Sequence, residues 1–101
     1  MSAKIFINVQ HFELSAETRQ KIHAAAAPLF EQDCCVTRVD ITIEGEYARN
    51  TRILYNVTVR TQLRAEVFFE MKQGERLLPA VKTAISAMEK KLRERGQVPS
   101  A

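Results

Sequence analysis

The chain is short of cysteine and glycine and has no long apolar run, and each shortage excludes something. Its two cysteines, Cys34 and Cys35, are neighbours in a sequence of 101 residues. A bridge between adjacent residues closes a minimal loop and adds little stability. No third cysteine completes a zinc site of the usual kind, and His11 and His23 show no ligand spacing with the pair. The pair reads as a redox switch, as half a metal site or, more plainly, as two small residues at a helix-to-strand junction. The plain reading is preferred, so no metal and no cofactor are expected. The three glycines, Gly45, Gly74 and Gly96, are too few and too scattered for a phosphate-binding loop, and each has a turn or cap role to fill. The longest uncharged apolar stretch is far below the roughly 18 residues that suggest a membrane span. Residues Met1 to Asn8 contain no apolar run of signal-peptide length. A cytoplasmic protein without a membrane partner is expected.

The raw material of an active site is also scarce. Cys34 and Cys35 are the only nucleophile candidates and His23 is one available base, but no nucleophile motif surrounds them. The reading is therefore not an enzyme, with no catalytic residues and no small-molecule substrate.

What is present is an ordinary globular balance, 46% apolar and 27% charged residues. The length predicts one domain, placed at residues 1–96 with residues 97–101 as a flexible tail. Ile5, Ile7 and Val9 alternate with Lys4, Phe6 and Asn8, the period of a half-buried strand. Ser15 is placed to cap a helix with Glu17 in its first turn, and Ile22, Ala25, Ala26 and Leu29 form one buried stripe. Pro28 predicts a kink there, or a helix that ends and restarts as a short turn, because a proline ring removes one hydrogen bond and clashes with the preceding turn. Val39, Ile41 and Ile43 mark a second strand, and Gly45 to Thr51 reads as a hairpin loop. Ile53, Tyr55, Val57 and Val59 mark a third strand. Leu63, Ala65, Val67, Phe69 and Met71 are expected to be the apolar face of a fourth, ended by Gln73 and Gly74. That phase turns Phe68, like Phe6, to the polar face. The last helix starts near Glu75 to Leu77 with Pro79 in its first turn. Its buried stripe is Leu77, Val81, Ala84, Ile85, Met88 and Leu92, and Gly96 is its natural stop. The order β-α-β-β-β-α predicts an α+β two-layer sandwich: a four-stranded sheet with two helices packed on one face, the last three strands antiparallel.

Net charge is +3, and its placement is more informative than its size. Between residues 82 and 95 lie five basic residues, Lys82, Lys90, Lys91, Arg93 and Arg95, against Glu89 and Glu94. That excess equals the net charge of the whole chain. The first helix carries only Arg19 and Lys21 against three acidic residues between 17 and 33. Positive potential at the end of the last helix can neutralise phosphates and give salt-sensitive binding, although basic residues also suit a helix C-terminus. Arg38, Arg52, Arg60, Arg64 and Lys72 are interleaved with Asp40, Glu44, Glu66 and Glu70, which predicts cross-strand ion pairing rather than a second basic surface.

Two segments carry a family resemblance. His11-Phe12-Glu13-Leu14-Ser15, followed by Arg19 and Ile22, is similar to the first strand–helix junction of the hibernation-promoting factor and ribosome-associated inhibitor A family, also called sigma-54 modulation proteins. Ala80-Val81 through Leu92 is similar to the family's closing amphipathic helix, with Lys90 and Leu92 where a basic residue and a leucine recur. The resemblance implies a fold like that of double-stranded-RNA-binding domains, and a short form without a ribosome-dimerising domain. It implies ribosome hibernation under stress: binding to the small ribosomal subunit near the decoding channel, and translation inhibition. Lys90, Lys91, Arg93 and Arg95 would contact ribosomal RNA, with Arg19 and Lys21 as further candidates and Lys82 joining them on charge. One departure keeps an alternative open. Where the family carries several lysines or arginines in its first helix, this chain has Ala24-Ala25-Ala26-Ala27-Pro28-Leu29-Phe30-Glu31. A protein-interaction module on the same fold, a homodimer among its forms, would use that apolar surface or an exposed edge strand.

Overall fold

The computed structural model describes residues 4–32, 35–47 and 53–97, the last three of these by backbone alone. Cys34, Arg52, most of the expected hairpin loop and residues 98–101 lie outside the described residues, as does the Arg95 side chain. Seven elements follow one another: β1 (Ile5–Gln10), α1 (Ala16–Ala26), α2 (Leu29–Gln32), β2 (Arg38–Tyr47), β3 (Ile53–Gln62), β4 (Val67–Gly74) and α3 (Leu77–Gln97). The strands form one sheet in the order β1-β2-β3-β4. The helical crossover makes β1 parallel to β2, with Ile7 opposite Ile41, while β2, β3 and β4 are antiparallel neighbours. The α+β sandwich expected from the pattern is the observed fold.

Local chemistry explains the elements. Ser15 caps α1 as expected, its hydroxyl accepting the Thr18 N–H at 3.1 Å. The helix stops at Ala26, Ala27 caps it, and the chain restarts as the single turn of α2, the outcome Pro28 requires. His11, just after β1, takes φ 69°, a conformation costly for most side chains but several-fold enriched in histidine. Its carbonyl accepts the Tyr47 hydroxyl at 3.5 Å.

The core lies between the sheet and the helices. Ile22 and Ala26 from α1 and Leu29 from α2 meet Val39, Ile41, Ile43, Val57 and Val59 from the sheet, and Val81, Ala84, Ile85, Met88 and Leu92 close it from α3. Every apolar stripe expected there is used except that of β4.

Four expectations need correction. Gly45 is not in a loop but on the inward side of β2, opposite Tyr55. The Phe12 ring packs over it, edge-to-face with Tyr55 at 5.2 Å, and a Cβ at position 45 would stand only 3.1 Å from Phe12 Cδ1. Leu63 and Ala65 do not belong to β4. Leu63 continues the inward side of β3, and its N–H donates to the Glu66 carbonyl at 2.8 Å across a four-residue turn. An even turn between antiparallel strands exchanges odd for even, so the partners are Thr61 with Phe68 and Arg60 with Phe69. Phe68 therefore packs on the core, while Phe69 and Met71 face outward, 56% and 69% exposed. Finally, Gly96 does not stop α3, which runs to Gln97, so the expected tail loses its first residue to the helix.

Candidate functional site

Helical geometry sorts the basic residues of α3. Lys82 and Arg93 are eleven residues apart, close to three full turns, and Lys90 lies one turn before Arg93. All three are exposed, and none has an ion pair among the described residues. Lys91, one step further round, turns to the sheet. Its ammonium donates to the Phe69 carbonyl at 3.1 Å, stands 3.3 Å from Glu70 Oε1 and lies 5.8 Å from the Phe68 ring centroid.

The two candidates on α1 also divide. The Arg19 guanidinium donates to the Ile7 carbonyl at 3.1 Å and ties α1 to β1. Lys21 stays on the surface, 3.5 Å from Glu17 one turn earlier, a pair exposed enough to contribute little. Lys21 and Lys82 stand together on the walls of a groove of about 250 Å³ between α1 and α3, lined otherwise by Ile22, Ala24, Ala25, Leu78 and Val81. The structure thus brings Lys21 to the α3 surface and directs Arg19 and Lys91 to internal contacts. Arg95 lies within α3.

The outer sheet face is electrostatically closed. Asp40, only 8% exposed, accepts from Arg38 at 2.9–3.1 Å and from Arg60 at 3.1 Å, and Arg60 also donates to Gln62 at 2.8 Å. The hydrogen bond to Asp40 raises the Arg38 pKa; desolvation opposes it and the negative charge of Asp40 adds to it, so this guanidinium stays charged at ordinary pH. Arg60 pairs with Asp40 across strands, as the interleaving with acids implied, whereas Arg38 reaches Asp40 along β2 itself. Phe6 is exposed as expected, but the Arg38 guanidinium covers its ring at 4.2 Å. Alternation alone picked out Val67, Phe69 and Met71 but turned them to the core; the signal that could have placed them on this face is the length of the turn before β4.

No helix is long and apolar enough to cross a membrane, and no cluster of three metal-ligating side chains occurs among the described residues.

Most of the backbone has solved counterparts. The crystal structure of the Thermus thermophilus Protein Y N-terminal domain matches with a TM-score of 0.72 over 91% of this chain and 98% of that one, at 12% sequence identity. The fold is that of the Protein Y N-terminal domain. A ribosomal subunit interface protein from Coxiella burnetii matches with a TM-score of 0.75 over 94% of this chain and 99% of that one, at 14% identity. No protein-family model and no curated protein sequence matches the chain. The Protein Y fold thus persists here at an identity where side-chain chemistry has largely been replaced. On this fold, helix α3 carries Lys82, Lys90 and Arg93 exposed.

Proposed function

We propose that the chain is a ribosome-binding hibernation factor that occupies the small subunit and inhibits translation, with α3 as its ribosomal RNA contact. The observation that carries this reading is the exposed stripe of Lys82, Lys90 and Arg93, without ion pairs among the described residues, on a fold shared with a ribosomal subunit interface protein. Cations that have no carboxylate to neutralise them are available to phosphates, and the counterions they displace supply the affinity. Lys21, beside Lys82, extends the stripe onto α1. The opposite face is a poor candidate for RNA, because Asp40 already engages Arg38 and Arg60. The role is one of binding and exclusion, not of chemistry.

Co-sedimentation with ribosomes and with separated subunits across a salt series tests the proposal. The expected result is small-subunit binding that falls steeply with salt and is lost when Lys82, Lys90 and Arg93 are reversed to glutamate in a protein that stays folded. Binding that survives the reversal refutes α3 as the contact, and absence of binding at low salt refutes the function. One observation favours a second reading, the apolar groove between α1 and α3, where Ala24 and Ala25 stand in place of bases. A protein-interaction module using it predicts capture of a protein ligand that depends little on salt and is blocked by Ala25→Glu.

A further inference from the structure

The open edge of β4 is built to pair. The Leu63 N–H to Glu66 carbonyl bond fixes the phase of the β3–β4 ladder. Bonded and non-bonded positions alternate in an antiparallel pair. Phe68, Glu70 and Lys72 therefore turn their main-chain groups toward β3, and Val67, Phe69, Met71 and Gln73 turn theirs outward. The Lys91 bond to the Phe69 carbonyl agrees, since that oxygen is reached from outside the ladder. β4 is the last strand of the sheet, and its outer side carries Val67, Phe69 and Met71, exposed by 36%, 56% and 69%. An unpaired edge beside an exposed apolar stripe is a surface for another strand.

We infer that this edge binds a second copy of the chain, β4 against β4, antiparallel about a two-fold axis at Met71. Charge selects this register. A two-fold axis sets each residue opposite its mirror position, so centring on Glu70 or on Lys72 puts like charges face to face. Centring on Phe69 brings two Lys91 ammonium groups, each held on a Phe69 carbonyl, together at the axis. Centring on Met71 sets Glu70 opposite Lys72 of the second copy, twice. Lys72 is exposed and has no ion pair among the described residues, so the dimer gives it one. Glu70 then lies between Lys91 of its own chain and Lys72 of the other. On the outer side Met71 faces Met71, with each Phe69 diagonal to the opposite methionine, which makes one apolar cluster of the two most exposed residues of the stripe. The Phe69 carbonyl keeps Lys91 and accepts the opposing Gln73 N–H on its second lone pair. This inference is independent of the ribosome-binding reading.

Light scattering over a concentration series tests it. The mass of the unaltered chain is expected to rise from one chain to two. Met71→Glu, which sets two carboxylates face to face, is expected to weaken the dimer about tenfold or more. Asn8→Glu on β1, the far edge of the same face, is expected to leave it unchanged, with circular dichroism confirming that both variants are folded. Disulfide trapping in a Cys34→Ser/Cys35→Ser background reads the register. Met71→Cys should cross-link, because opposed bonded residues have Cα atoms about 5.5 Å apart, within reach of a disulfide. Phe69→Cys should not, because four residues of strand, about 13 Å, separate the two copies of that position. A one-chain mass at every concentration, a dimer indifferent to Met71→Glu, or stronger linking through Phe69→Cys would each overturn the inference.

Discussion

Lys91 of α3 reaches the Glu70 carboxylate of β4 at 3.3 Å, so one of two adjacent lysines is a structural tie and the other is not. Lys90 is exposed and has no ion pair among the described residues. Lys91→Ala is expected to destabilise the domain by about 1 kcal/mol, through a partly exposed ion pair and a hydrogen bond to the Phe69 carbonyl. It should leave the salt dependence of ribosome binding unchanged. Lys90→Ala should do the reverse: no measurable loss of stability, and a slope of log affinity against log salt shallower by about one. Urea melts and salt-series co-sedimentation of the two variants separate the roles. A Lys91 variant with the shallower slope would place that residue in the binding surface.

Asp40 holds two arginines on the outer sheet face, and removing it has two consequences. Asp40→Ala is expected to cost about 2 kcal/mol, the scale of charge-assisted hydrogen bonds lost from a nearly buried carboxylate. It also leaves Arg38 and Arg60 without their shared counter-charge, so non-specific RNA binding should rise. Denaturant titration and filter binding to a homopolymeric RNA measure the two effects. An Asp40→Ala protein that is weaker in stability but no stickier to RNA would show that the guanidinium groups find other partners.

Thr61 is fully buried, and its hydroxyl has no hydrogen-bond partner among the described residues. Thr61→Val keeps the shape and removes the stranded group. The expected gain is about 1 kcal/mol, or a Tm higher by about 4–8 °C in a domain of this size. Calorimetry checks it, and a lower Tm would mean that the hydroxyl is satisfied in solution.

Gly45 makes room for Phe12. Gly45→Val puts a branched side chain where even a Cβ meets the ring at 3.1 Å, and the expected cost is about 1–3 kcal/mol of overpacking. Pairing it with Phe12→Ala should recover part of the Gly45→Val loss, because the space is then vacated. A purely additive double mutant would show that the strain lies in the backbone instead.

Much of this protein is fixed by local pattern, which a sequence carries openly. Ser15 and Pro28 dictate where α1 begins and ends, because capping and ring sterics act over a few residues. The stripes of β1, β2, β3 and α3 show which faces are buried, because burial follows the period of each element. The concentration of positive charge on α3 is equally legible. Tertiary structure alone decided three matters. The four-residue turn at Leu63–Glu66 set the phase of β4, exposing Phe69 and hiding Phe68: when hydrophobic residues fall on both parities, alternation cannot choose between them and hydrogen-bond register can. The value of each cation was decided by what stands across from it, Glu70 for Lys91 and Ile7 for Arg19 against solvent for Lys90. The role of Gly45 was decided by a ring thirty-three positions away in sequence, because close packing joins residues that no local pattern connects.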